Sequence, residues 1–70
     1  MQALTDIKID PKKLRAARGD RSQASVAREI GVSRQQLWNY ENGLFEPPAN
    51  VVARLCKLYE VQIEDVTSIP

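Results

Sequence analysis

A chain of 70 residues makes one domain with a small core, which excludes a cofactor domain set beside a substrate domain. With 43% apolar and 27% charged residues it has the composition of a folded globule, and with one cysteine and no histidine it offers neither an internal disulfide nor a zinc cluster. The formal net charge of +1 conceals a division, because residues 8–34 carry eight basic side chains against three acidic ones, while residues 41–70 carry two against five.

Residues 1–10 read as an N-terminal arm with a short alternating stretch, Ile7-Lys8-Ile9. Asp10-Pro11 joins an N-cap to the proline favoured at a first helical position. It predicts a helix from Pro11 to Arg18 with Leu14 and Ala17 inward and Gly19 as its stop. Ser22 caps a second helix, whose apolar stripe is Val26, Ala27 and Ile30 and which ends at Gly31. Ser33 then caps a third, with Leu37 and Tyr40 inward and Asn42-Gly43 as terminator. Two short helices joined by so brief a turn, with glycine at its start, cannot lie antiparallel. They must cross steeply, as a helix-turn-helix does. A loop closed by Pro47-Pro48 leads to a fourth helix from Ala49 to Tyr59, striped by Ala49, Val52, Leu55, Cys56 and Tyr59, with Cys56 as a small core residue. Ile63 to Thr67 adds a last helical turn, with Ile63 and Val66 closing the base of the core. No segment reads as a sheet, so the expected class is all-α, with a domain over residues 11–67 and a tail at 68–70.

Residues 23–42, QASVAREIGVSRQQLWNYEN, resemble the twenty-residue helix-turn-helix of the phage repressor and Cro family. That pattern wants a small residue fifth, glycine ninth, and apolar residues at positions four, eight, ten, fifteen and eighteen. Ala27, Gly31, Val26, Ile30, Val32, Leu37 and Tyr40 stand there. Leu14-Arg15, Arg18-Gly19, Ser22-Gln23, Glu41-Asn42-Gly43 and the closing segment 61–66 are similar to the family's flanks. The resemblance implies a compact five-helix, lambda-repressor-like DNA-binding domain and a double-stranded DNA partner. It also implies a homodimer on a two-fold symmetric operator, since one module reads only about four or five base pairs.

Opposite Leu37 and Tyr40, the third helix carries Arg34, Gln35, Trp38 and Asn39. Arginine suits the O6 and N7 of guanine, and Gln and Asn suit the N6 and N7 of adenine; the resemblance maps base reading onto these four positions. Trp38 is wide for the groove, and either packs on a thymine methyl or sugar or tucks against Leu44-Phe45 to serve the core. The phosphate candidates are Gln23 at a helix N-terminus, Ser33, Gln36 and Asn42, with Arg18, Arg21 and Arg28 as clamps. The basic half fits such a polyanion, although Lys and Arg also simply solubilise helix faces.

Three features depart from the family. The turn Gly19 to Ser22 is one residue longer and lacks a leucine; Leu44-Phe45-Glu46 replaces basic loop residues; and Glu60 stands where glycine commonly ends the fourth helix. Leu44 and Phe45 need burial, by the fourth helix or by a second subunit. A competing reading keeps the fold as a protein-interaction module using Trp38, Leu44 and Phe45. An enzyme is the least expected class, because Ser22, Ser25 and Ser33 have no evident base. No apolar run reaches the ~20 residues of a membrane span and no signal peptide is visible, so the expected setting is the cytoplasm without membrane, cofactor, metal or small-molecule ligand.

Overall fold

The computed structural model describes residues 8–68; residues 1–7 and 69–70, with most of the expected arm and tail, lie outside the described residues. In chain order the elements are β1 (Lys8–Ile9), α1 (Pro11–Arg18), α2 (Gln23–Ile30), α3 (Arg34–Glu41), α4 (Ala49–Tyr59), a 3₁₀ turn (Ile63–Asp65) and β2 (Thr67–Ser68).

The first three helices begin at side-chain caps. Asp10 accepts from the amides of Lys12 and Lys13 ahead of α1, and Ser22 accepts from Ser25 ahead of α2. Ser33 and Gln36 exchange hydrogen bonds as a capping box at the start of α3. Gly31 ends α2 in the left-handed region at φ 81°, and its N–H bonds the Ala27 carbonyl. The Ile30 carbonyl at that same end takes 3.0 Å from Nη1 of Arg54, which ties α4 to the turn between α2 and α3. The turn over residues 30–33 between α2 and α3 is therefore clamped by a glycine, a cap and an arginine from α4.

Leu14, Val26, Leu37, Leu55 and Val66 are buried at the centre, one from each layer of the bundle. Ala27 and Ile30 complete the α2 face, and Tyr40, Val51, Val52 and Tyr59 surround them. Cys56 is half-buried against this core, and burial pushes its thiol above the ordinary range.

Two expectations are corrected. There are four α-helices among the described residues, not five, because the segment after α4 makes only the three-residue 3₁₀ turn. The all-α class becomes mostly helical with a small sheet, since β1 pairs antiparallel with β2, Lys8 opposite Ser68 and Ile9 opposite Thr67. The reason is local competition for hydrogen bonds. Asp65 caps the amide of Gln62 at 2.9 Å, and the Val66 carbonyl that would continue a helix instead accepts from Asp10 at 2.9 Å. Lys13 Nζ adds a bond to the Thr67 carbonyl at 3.0 Å. Val66 closes the core as expected, whereas Ile63 remains 53% exposed.

Glu60 ends α4 at φ 58°, ψ 46°, a left-handed conformation that costs a side chain roughly 1 kcal/mol. Glu60→Gly removes that strain while loosening the unfolded chain. Urea unfolding is expected to show a gain of about 0.5–1 kcal/mol; a loss would mean that the Glu60 side chain contributes more than its backbone costs.

Candidate nucleic-acid interface

The outer side of α3 follows from its helical period. With Leu37 and Tyr40 buried, Arg34, Gln35 and Trp38 fall on the solvent side and line one shallow concavity of about 450 Å³. Asn39 is half-buried beside them, and its Oδ1 accepts from Gln35 Nε2 at 3.1 Å, so these two amides orient one another. Trp38 is 43% exposed and is not tucked into the core. The four side chains singled out for base reading thus share one face of one helix.

Glu41, the last residue of α3, is buried at 1% exposure. A carboxylate at a helix C-terminus is opposed by the helix dipole, and burial adds a larger cost, so it requires strong partners. Arg18 of α1 supplies them, with Nε 2.8 Å from Oε2 and Nη2 3.2 Å from Oε1, a two-pronged pair. Gln23 Nε2, at the start of α2, donates to the same Oε1 at 2.9 Å. Three helices meet on one carboxylate. Sequence reasoning treated Glu41 only as part of a terminator; its acidic charge at the unfavourable helix end was the available signal.

These contacts redistribute the expected phosphate candidates. Arg18 is spent on Glu41 and on the Arg21 carbonyl, at 2.8 Å from Nη1. Arg21 lies against α4, its guanidinium 5.7 Å from the Tyr59 ring centre and its Nη2 3.4 Å from the Leu58 carbonyl. Gln23 keeps its second Nε2 hydrogen to donate and, with Arg18, Ser22, Ala24 and Arg34, lines a cleft between the starts of α2 and α3. Ser33 and Gln36 are exposed but bonded to each other's backbone amides through the capping box. Asn42 Nδ2 closes α3 on the Trp38 carbonyl at 2.8 Å and keeps its second hydrogen to donate. Arg28 is exposed on α2. At the far end of α3, Lys12 and Arg15 share a concavity with Asn42, Asp10 and the buried Glu41. Neither lysine nor arginine there was singled out from the sequence, although the run Lys12-Lys13-Leu14-Arg15 was visible.

Basic side chains and a cleft thus flank the exposed row of α3 at both ends. A helix-turn-helix domain family model matches residues 12–68. The chain belongs to this family. Its members are DNA-binding transcriptional regulators, in agreement with the phage repressor and Cro resemblance of residues 23–42. An uncharacterized HTH-type transcriptional regulator of Methanocaldococcus jannaschii is 33% identical over 45 residues, which is 64% of this chain and 68% of the relative. The restriction-modification controller protein C.AhdI of Aeromonas hydrophila superposes with a TM-score of 0.72 at 19% identity, over 79% of this chain and 86% of that one, which shows a shared fold. Among the described residues no helix is long and apolar enough to cross a membrane, and no cluster of potential metal ligands is present.

Arg18→Met leaves the Glu41 carboxylate buried without its cation, and equilibrium unfolding is expected to show a loss of about 3–5 kcal/mol. Adding Glu41→Leu to that variant is expected to restore most of the loss; a double variant as unstable as the single one would mean that Arg18 acts through packing and not through charge. Tyr59, whose hydroxyl is buried without a hydrogen-bond partner among the described residues, is pushed up to about 12, first by burial and then by the Glu41 charge. The unfolded chain releases this proton first, near 10, so the Tyr59 contribution to stability is intact below pH 10 and is lost on rising towards 12. Tyr59→Phe should remove that alkaline component from the pH profile of thermal unfolding.

Proposed function

We propose that this protein is a sequence-specific double-stranded DNA-binding transcriptional regulator that places α3 in the major groove and binds as a homodimer to a two-fold symmetric operator. The observation that carries the reading is the exposed row Arg34, Gln35 and Trp38, with half-buried Asn39 bonded to Gln35, on a helix whose angle is clamped on both sides. Arg34 is the guanine reader, through O6 and N7, and Gln35 with Asn39 reads adenine. The hydrogen bond between Gln35 and Asn39 aligns the two amides before DNA arrives, which reduces the ordering cost on binding. Trp38 supplies an apolar plane for a thymine methyl or a sugar.

Phosphates are held by Gln23 and Ser33 on one side and by Asn42, Lys12 and Arg15 on the other, with Arg28 farther along α2. Gln36, through its Nε2, is a lesser contact. Arg18 and Arg21 are left out of this set because their guanidiniums are engaged with Glu41 and with α4. The site of action is the cytoplasm, where the chain's DNA lies. The exposure of Leu44 and Phe45 supports a second role, contact with a protein surface; Trp38 is assigned to DNA because its neighbours in the concavity are Arg34 and Gln35.

Selection from random duplexes with the purified protein is expected to enrich a two-fold symmetric consensus. Arg34→Ala with Gln35→Ala should weaken the selected duplex by about 1–3 kcal/mol per lost bidentate contact while sparing non-specific binding. Lys12→Ala or Arg15→Ala should weaken all sequences alike and lower the salt dependence by about one ion. An Arg34/Gln35 double variant with unchanged preference would exclude base reading by α3.

A further inference from the structure

Leu44 and Phe45 are adjacent on the loop after α3, and α4 covers neither: they are 59% and 65% exposed. Beside them, formed by α4, the strand pair and the segment after α4, lies a groove of about 620 Å³. Its floor is apolar, from Val52, Ala53, Cys56 and Val61, and its far wall is Ile63, itself 53% exposed. Glu46 and Pro47 form the near wall, with Lys8 and Ile9. The same four residues line a smaller hollow of about 290 Å³ that also includes Phe45. An apolar ridge and an apolar groove therefore share one wall.

We propose that this groove and the Leu44-Phe45 ridge are the face on which a second copy of this chain docks, the ridge of each copy entering the groove of the other. The proposal rests on the homodimer reading above and names its surface. Two features select a second copy as occupant. A two-fold interface must be self-complementary, and here projection and recess occur side by side on one molecule. The charges agree: the groove's charged lining consists of one cation, Lys8, and one anion, Glu46. Glu46 is fixed by accepting the Ile9 amide at 2.8 Å, which leaves its other oxygen available to a lysine of the partner copy. A basic or acidic partner would want one sign; a copy of the same surface wants both. No residue of α2 or α3 lines the groove, so a copy seated there leaves the Arg34–Asn39 face uncovered.

Sedimentation of the full chain without DNA tests this. The wild type is expected to be a dimer at tens of micromolar, and Phe45→Ser and Ile63→Ser should each raise the dimer dissociation constant at least about tenfold. Both replaced side chains are more than half exposed, so the variants keep the fold, which circular dichroism checks. Ala53→Arg, at an exposed position of α4 in the groove, provides a third variant, and Arg28→Ala on α2 should leave the dimer intact. A wild type that is monomeric throughout, or groove variants that dimerise as the wild type does, would overturn the proposal. The two readings fail separately: a dimer sensitive to these variants but selecting no duplex contradicts DNA reading alone, whereas a duplex-selecting protein whose dimer ignores them contradicts this face alone.

Discussion

The carboxylate of Glu41 is the point on which this small domain turns. It sits at the disfavoured end of α3, out of water, and is held by two prongs of Arg18 and the amide of Gln23. A buried charge of this kind adds little net stability compared with apolar packing, but breaking it is costly, and that asymmetry makes it a device for fixing geometry. It draws α1, α2 and α3 to one atom group, while Arg54 ties the opposite end of α2 to α4. The angle at which α3 is presented is thus determined by polar contacts of short range and narrow geometry, superimposed on a core too small to impose it alone.

The same contacts sort the basic residues. The surplus of positive charge in residues 8–34 looks like a uniform footprint, yet one arginine neutralises a buried carboxylate and another lies along an aromatic ring of α4. Of those that face solvent, Arg34 stands with the cleft beside Gln23 and Lys12 with Arg15 beside Asn42, at the two ends of α3, while Arg28 lies out on α2. A nearly neutral chain can present a cationic rim to a polyanion in this way, because its basic residues are concentrated before residue 35.

The helices were legible because their signals are local. Asp10-Pro11, Ser22, Ser33 and Gly31 are caps whose partners lie within four residues, and the stripes Val26-Ala27-Ile30 and Leu37-Tyr40 carry the 3.6-residue period. The outer row of α3 followed directly from that period. The strand pair was not legible, since the alternation Ile7-Lys8-Ile9 is too short to mark a strand alone and its partner Thr67-Ser68 lies nearly the whole chain away. Nor was the fate of Arg18 and Arg21. A long cationic side chain reaches Glu41 across 23 residues of sequence or Leu58 across 37, and nothing in the local pattern distinguishes it from one that faces solvent. Ile63 was assigned to the core by its apolar character, but a 3₁₀ turn gives it a direction different from the α-helical turn expected.

Methylation interference on the selected duplex tests the central claim, that the outer face of α3 reads base edges in the major groove. Guanine N7 methylation blocks an arginine in that groove, whereas adenine N3 methylation lies in the minor groove. The account predicts interference at guanine N7 in each half-site that disappears in Arg34→Ala. Interference confined to adenine N3, or guanine interference that persists without Arg34, would contradict it.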